Sequence, residues 1–176
     1  MERFDGAADF RGGQFVLIDG VTIRPARPGD GSALQELVKS LAISHGYEKE
    51  FFGTPELYET ALFCPNPVIG AFLAEVSGTP AGCAIWHRSF STFRGKEIIY
   101  LEDLSVLPDF RRRGIAKALL KAVAQLAAAR DIPEVFWLMM DWNDGARALY
   151  ESVGAEIEGG NSFCRLSGDA LARLAQ

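Results

Sequence analysis

Three arginines and a glycine, Arg111-Arg112-Arg113-Gly114, stand between a stretch that reads as a strand and one that reads as a helix. Before them Ile98, Ile99, Tyr100, Leu101, Leu104 and Val106 form an apolar, partly β-branched run. Pro108 closes that run, because proline cannot donate to a sheet ladder. After them Ile115, Ala118, Leu119, Ala122, Val123 and Leu126 recur at the spacing of one buried helical face. A helix that starts here presents unpaired backbone N–H groups and the positive end of its dipole. Gly114 and Ala116 allow close backbone approach, so the amides from Arg112 through Ile115 to Lys117 form a seat for a phosphorylated ligand. The arginine side chains would neutralise the phosphate charge. Basic residues beside a helix start are as often solvated surface, so local context leaves both readings open.

Other residue types suited to chemistry lie nearby in sequence. Glu102 and Asp103 sit on the same strand, where alternation sends their side chains to opposite faces. One of them either meets a ligand or simply pairs with a neighbouring cation at the end of the sheet. Tyr150 shares a helical face with Ala146 and Val153, which by periodicity alone makes it a core aromatic. Asn143 is a good N-cap for that helix. His45 and His87 lie far from any Ser/Asp pattern and read as structural or solvent-exposed. Cys164 reads as a packed residue, not an acyl carrier.

The elements that must position these groups belong to an ordinary globular chain. Its 176 residues suit one domain, with 48% hydrophobic and 23% charged residues. A formal net charge of -5 argues against nucleic acid or an anionic membrane as partner. No apolar run is long enough to span a bilayer, and no signal-peptide core opens the chain. Three cysteines, odd in number and without a Cys-x-x-Cys pair, suggest no metal and reduced thiols in the cytoplasm.

In chain order, residues 1–19 read as a glycine-rich extension and 20–176 as a single domain. Val21–Pro25 reads as an edge strand, and Asp30 as the N-cap of a helix carrying Leu34, Leu37, Val38 and Leu41 on one face. Thr54-Pro55 starts a second helix with Leu57, Tyr58, Ala61 and Leu62 inward. A hairpin (68–76 and 81–87, turning at Ser77–Pro80), the 96–106 strand and a helix from Arg113 to Arg130 follow. Glu134–Met140 reads as a buried strand, parallel to the 96–106 strand across the helix. A helix ending at Gly154, a hairpin of 155–158 with 162–166, and a short helix over 169–175 complete the chain. The fold class is therefore α/β (α+β), a mixed sheet with helices on both faces and one parallel β-α-β crossover.

The arrangement resembles the GNAT superfamily of acyl-CoA-dependent N-acetyltransferases, whose pyrophosphate loop (Arg/Gln)-x-x-Gly-x-(Gly/Ala) matches Arg111, Gly114 and Ala116. Tyr-Leu-Glu-Asp at 100–103, Arg-Arg-Arg-Gly-Ile-Ala at 111–116, Asp-Trp-Asn at 141–143, and Tyr150 with Gly154-Ala155 resemble its diamine (spermidine/spermine) acetyltransferase branch. The resemblance implies a mostly antiparallel GNAT-like sheet, acetyl-CoA as acyl donor, a small primary amine as acceptor and a homodimer. Trp86, Phe90, Phe93 and the C-terminal hairpin would offer the apolar surface for that dimer.

The reaction so implied makes three demands: hold the pyrophosphate, neutralise the amine and protonate the departing thiolate. An alkyl ammonium has a pKa near ~10.4 and cannot attack at neutral pH until a proton leaves. The resemblance makes Glu102 the group that binds the amine and accepts that proton, directly or through water, with Asp103 also toward substrate. It makes Tyr150 the general acid for the thiolate and gives Asn143 a second role on the pantetheine arm. Backbone groups of Leu104, Ser105 and Val106 would bind that arm like an added strand, with the Leu104 N–H polarising the thioester carbonyl. The branch's polyamine-contacting pair aligns with Ser44-His45, and Tyr47-Glu48 lies one small shift away. Other implied possibilities are acetylation of an amino acid, an aminoglycoside or a protein N-terminus, or an acyl-CoA sensor without turnover.

Overall fold

The computed structural model describes residues 15–18, 20–160 and 164–175. In chain order these form β1 (Phe15–Ile18), β2 (Val21–Pro25), α1 (Gly31–Ser44), α2 (Pro55–Phe63), β3 (Gly70–Val76), β4 (Thr79–Ser91) and β5 (Lys96–Val106). Then come α3 (Ile115–Ala129), β6 (Val135–Phe136), α4 (Asp144–Ser152) and α5 (Gly168–Leu174). The chain divides into two compact units, one reaching to Leu138 and the other starting at Met139.

In the first unit the six strands lie in the order β1-β2-β3-β4-β5-β6. Every neighbouring pair is antiparallel except β5 and β6, which run parallel across α3. This is the expected mixed, mostly antiparallel sheet with one parallel crossover. One strand was not expected: the end of the 1–19 segment joins the sheet as β1, so β2 is internal and not an edge.

Alternation along the strands sorts the core into two layers. Leu73, Cys83 and Ile85 face α1 and α2, where they pack with Leu34, Leu37 and Leu62. Phe72, Ala74, Ala84 and Trp86 are buried on the other face. There α3 packs on β3, β4 and β5, with Ile115, Leu119, Val123 and Leu126 inside. Each such side chain stabilises the fold by roughly 1.5–3 kcal/mol when fully buried. Trp86, expected at a dimer surface, is therefore a core residue, while Phe90 and Phe93 are exposed. On α2 Leu62 is buried as expected, but Leu57 is exposed.

The start of α1 departs from its expected cap. Asp30 occupies the N-cap position without a side-chain cap bond. Its carboxylate instead accepts from the Arg24 guanidinium at 2.6 and 2.9 Å and from the Arg27 N–H at 2.7 Å. Arg24 is buried and also donates to Glu75 at 2.6 Å, so a buried cation claims both carboxylates. Burial alone would push Asp30 up, but these donors more than offset it and hold its carboxyl below the usual range. The cap comes from α2: Glu59 accepts from the N–H groups of Gly29 at 2.9 Å and Gly31 at 2.7 Å. A Cβ on Gly31 would stand 2.4 Å from the Pro55 carbonyl oxygen, so the two helices meet there only because residue 31 has none.

The expected strand over Glu134–Met140 shrinks to two paired residues, Val135 with Ile99 and Phe136 with Tyr100. It is not buried: Phe136 and Leu138 are both exposed. In the second unit, Asn143 caps α4 by accepting the Ala146 N–H at 3.0 Å. Gly154 ends that helix with φ 82°, as the sequence suggests. The expected C-terminal hairpin is absent among the described residues, since 155–160 and 164–167 carry no strand and 161–163 lie outside them. Cys164, expected to be packed, is exposed.

Candidate active site

The turn after β5 gathers exposed cations, left-handed backbone and the free amides of a helix start. Arg112 has φ 62° and Gly114 has φ 77°, on either side of Arg113 with its ordinary negative φ. Such alternation turns successive N–H groups toward one side and forms an anion-binding concavity. Placing an arginine in the left-handed region costs roughly 1–2 kcal/mol, which an anion seat would justify. The first intrahelical bond of α3 runs from the Ala118 N–H to the Gly114 carbonyl at 3.0 Å, so the amides of Ile115, Ala116 and Lys117 precede it. Arg111, Arg112, Arg113 and Lys117 are exposed around this turn, while the Ile115 side chain is buried and anchors it. Arg111 donates through Nε to the Val106 carbonyl at 3.0 Å, and Arg113 lies 5.5 Å from the Phe110 ring centroid. Donors, charge and left-handed backbone fit a diphosphate.

On the strand leading into that turn, pairing with β6 stops early. β6 pairs only with Ile99 and Tyr100, so β5 from Leu101 to Val106 lacks a β6 partner. An extended pantetheine-like arm fits such an edge as an added strand, through the backbone of Leu104 and Val106. The Ser105 side chain is committed elsewhere: its hydroxyl donates to the Leu37 carbonyl at 2.7 Å and ties β5 to α1.

The acidic pair sits at a bulge. Trp86 pairs with Leu101 and the adjacent Ile85 pairs with Asp103, which leaves Glu102 as the extra residue of β5. The bulge overturns the expected alternation, and both carboxylates face the α1–α2 side. Asp103 stands opposite Ile85, a member of the α1–α2 core. Glu102 approaches His87, two residues along β4 on the same face, with Oε2 3.8 Å from Nε2. Their environments differ: Glu102 is exposed, whereas burial first and the Glu102 charge second push the Asp103 carboxyl up to about 6.

Aromatic groups frame the pair. Tyr100 stacks on His87 with centroids 4.9 Å apart and leans on Phe136 at 5.7 Å. Burial pushes Tyr100 up, with the charges of Glu102 and Asp103 adding to it. Tyr58, reaching in from α2, is pushed up to about 12 by burial first, then by Asp103 and by the Cys83 thiol. A cavity of about 390 Å³ opens between α1 and the 48–54 segment, lined by Gln35, Lys39, Glu48, Phe51, Phe52 and Gly53. A second cleft of about 380 Å³ runs between the C-terminal half of α1 and the turn at Leu107, Pro108 and Arg111.

Within the second unit, Tyr150 is buried on α4 one helical stretch beyond the Asn143 cap, and burial pushes its phenol up.

Residues 32–155 match the model of the acetyltransferase (GNAT) family. The chain belongs to the GNAT acetyltransferase family. It is 30% identical over 167 residues to a thialysine N-epsilon-acetyltransferase of Bos taurus, covering 88% of this chain and 97% of that protein. It is 37% identical over 194 residues to an L-ornithine N5-acetyltransferase of Arabidopsis thaliana, covering 85% of each. An aminoglycoside N-acetyltransferase solved in complex with CoA shares the fold, with a TM-score of 0.67, 21% identity and 88% and 97% coverage.

The chain is thus an acyl-CoA-dependent N-acetyltransferase. In this acetyltransferase, the sequence-derived residues of the first unit gather in two places. Arg111 to Lys117 lie together at the turn into α3, and Glu102 with Asp103 lie together on β5, which leads into that turn. Glu48 lines the cavity between α1 and the 48–54 segment. Tyr47 is exposed, and partial burial holds the His45 imidazole below its ordinary value. Tyr58, His87, Gln35 and Lys39 were missed by sequence reasoning. Tyr58 was visible only as an inward helix position, and the other three carry no local signal.

Proposed function

We propose that this acetyltransferase moves an acetyl group from acetyl-CoA directly to the terminal primary amine of a small polyamine, diamine or lysine-like acceptor. The observation that carries the reading is the bulge-aligned carboxylate pair, on the strand whose C-terminal end opens into the anion seat. The thialysine and ornithine acetyltransferases, whose acceptors carry a side-chain amine, support it. Acetyl-CoA, when bound, supplies a thioester carbonyl with a thiolate leaving group. Amides from Arg112 to Lys117 would hold its diphosphate, and the Leu104 N–H would be the donor that polarises its thioester carbonyl.

Glu102, the exposed member of the pair, captures the acceptor ammonium and passes its proton on, directly or through water. Moving a proton from an ammonium of pKa ~10.4 to an ordinary carboxylate near ~4 costs roughly 9 kcal/mol. The Asp103 carboxyl, at about 6, reduces that cost by roughly 3 kcal/mol. The carboxylate pair therefore works as a unit, with Asp103 the better resting place for the proton. Tyr150, assigned by its match to the family pattern Asn143…Tyr150, protonates the departing sulfur. Burial raises its pKa and so favours the neutral, proton-bearing phenol.

Three cysteines, odd in number and without a Cys-x-x-Cys pair, support a reducing compartment, the cytoplasm. No helix among the described residues is long and apolar enough to cross a membrane. Exposed Phe90 and Phe93 at the tip of the β4–β5 hairpin support a homodimer. Sedimentation of 19.2 kDa particles alone would reject the dimer.

The deciding experiment is thiol release from acetyl-CoA with a panel of amines. Release with diamines or lysine-like acceptors is expected, and coenzyme binding without release on any amine would make the protein a sensor.

A further inference from the structure

Acetyl transfer to a primary ammonium leaves one proton over. Of the three N–H protons, the amide keeps one, the thiol takes one, and the third must reach bulk water in every turnover. With the acceptor seated on Glu102, and Asp103 the more buried of the pair, export is best served by a third group that meets both the pair and solvent. His87 meets that description. It stands opposite Tyr100 in the β4–β5 ladder, and its Nε2 lies 3.8 Å from Glu102 Oε2. Its Nδ1 lies 3.1 Å from the Arg88 carbonyl oxygen. A carbonyl only accepts, so Nδ1 carries a hydrogen in the neutral ring as well as in the charged one. The proton that comes and goes therefore sits on Nε2, the nitrogen turned toward Glu102.

The ring is also held in that orientation. Tyr100 stacks on it with centroids 4.9 Å apart and planes at 25°, and Phe136 backs Tyr100. Glu102 and Tyr100 of β5 face the imidazole, with Asp103 on the same side of the sheet. Arg88 is turned to the other face of β4, where it donates to Glu97. The His87 side chain is 36% exposed, so one ring reaches Glu102 and solvent together. We propose that His87 relays the surplus proton. Nε2 takes it from the protonated Glu102 carboxyl and gives it to water or buffer, which restores the carboxylate for the next ammonium. An imidazole suits the step, since it binds a proton more tightly than a carboxylate does and still releases it near neutral pH. The relay rests on the acetyl-transfer reading above and supplies the exit that the role of Glu102 requires.

His87→Gln keeps a polar side chain of similar length that cannot take up a proton. In dilute buffer at pH 7.5, with L-ornithine and with putrescine as acceptors, its kcat for thiol release should fall about tenfold. Acceptor KM should stay within about twofold. Added imidazole, with amine-free controls subtracted, should return kcat toward the wild-type value and leave the wild-type enzyme unchanged. His87→Phe, which keeps a ring against Tyr100 but has no nitrogen, should show the same loss and the same rescue. Wild-type kcat in both variants, a loss that imidazole does not relieve, or a loss confined to KM would overturn the relay while leaving acetyl transfer standing. No thiol release by the wild-type protein with any amine would defeat the acetyl-transfer reading, and the relay with it.

Discussion

Glu102 and Asp103 are neighbours in sequence, yet the bulge opposite Ile85 and Trp86 turns both carboxylates toward the α1–α2 face. A regular strand would have separated them across the sheet. Placed together, they differ in solvent exposure, and the Glu102 charge helps hold the Asp103 proton. That difference yields the first test, a pH profile. As Asp103 deprotonates above about 6, kcat/KM should rise along an acid limb centred there. Glu102→Gln removes a negative neighbour, lowers the Asp103 pKa and should move that limb to lower pH. A limb that stays in place or moves upward would contradict the coupling.

Asp103→Asn should trade activity for stability. The folded-state pKa lies above the ordinary carboxylate value, so the folded protein binds the Asp103 proton more tightly than the unfolded chain. Stability is therefore lost as pH rises from about 4 to about 6, and the loss persists above that. Asparagine abolishes this cost. The variant should be more stable by about 2 kcal/mol at pH 7.5 in urea unfolding, with no gain below pH 4. Its kcat/KM should fall by roughly 10²-fold or more, as for a lost general base.

Tyr150→Phe separates acid catalysis from folding. The Asn143 cap of α4 is untouched, and the lost hydroxyl leaves the ring in place. Turnover should fall by roughly 10²-fold, while CoA affinity measured by calorimetry stays within threefold. Wild-type turnover in a folded variant would remove Tyr150 from the mechanism.

The anion seat depends on backbone conformation as much as on charge. Arg112→Gly should preserve CoA affinity and raise stability by roughly 0.5–1 kcal/mol, because glycine accepts φ 62° without strain. Gly114→Val, at φ 77°, should weaken CoA at least tenfold by pulling the amides out of register. Weaker binding in Arg112→Gly than in Gly114→Val would show that the arginine side chains, not the backbone amides, attract the ligand.

Ser105→Ala removes the buried hydroxyl that donates to the Leu37 carbonyl. The expected loss is about 1 kcal/mol, or 2–4 °C in Tm for a domain of this size. Denaturation followed by circular dichroism checks it, and an unchanged Tm would mean that packing alone joins β5 to α1.

Much of this was legible in the sequence because it is local. The strand, the Arg111–Gly114 turn and the start of α3 adjoin one another. The Thr54 and Asn143 caps each act within three residues. What stayed hidden depends on partners distant in sequence. The bulge at Glu102 exists only in the register with β4, and no pattern within 96–106 announces it. Asp30 has the right type for a cap, but buried Arg24 takes its carboxylate and Glu59, from another helix, supplies the cap. The run Val135 to Met140 is apolar enough for a full strand, yet its pairing with β5 ends after two residues. Periodicity makes Tyr150 a core aromatic, and it is buried; its proposed role as an acid comes from the family resemblance alone.

The central claim is that the turn into α3 grips a diphosphate beside the Glu102–Asp103 pair. A crystal structure of the protein with CoA tests it most directly. Diphosphate oxygens about 2.7–3.2 Å from the backbone nitrogens of Arg112 to Lys117 are the expected result. A diphosphate bound anywhere else on the molecule would contradict it.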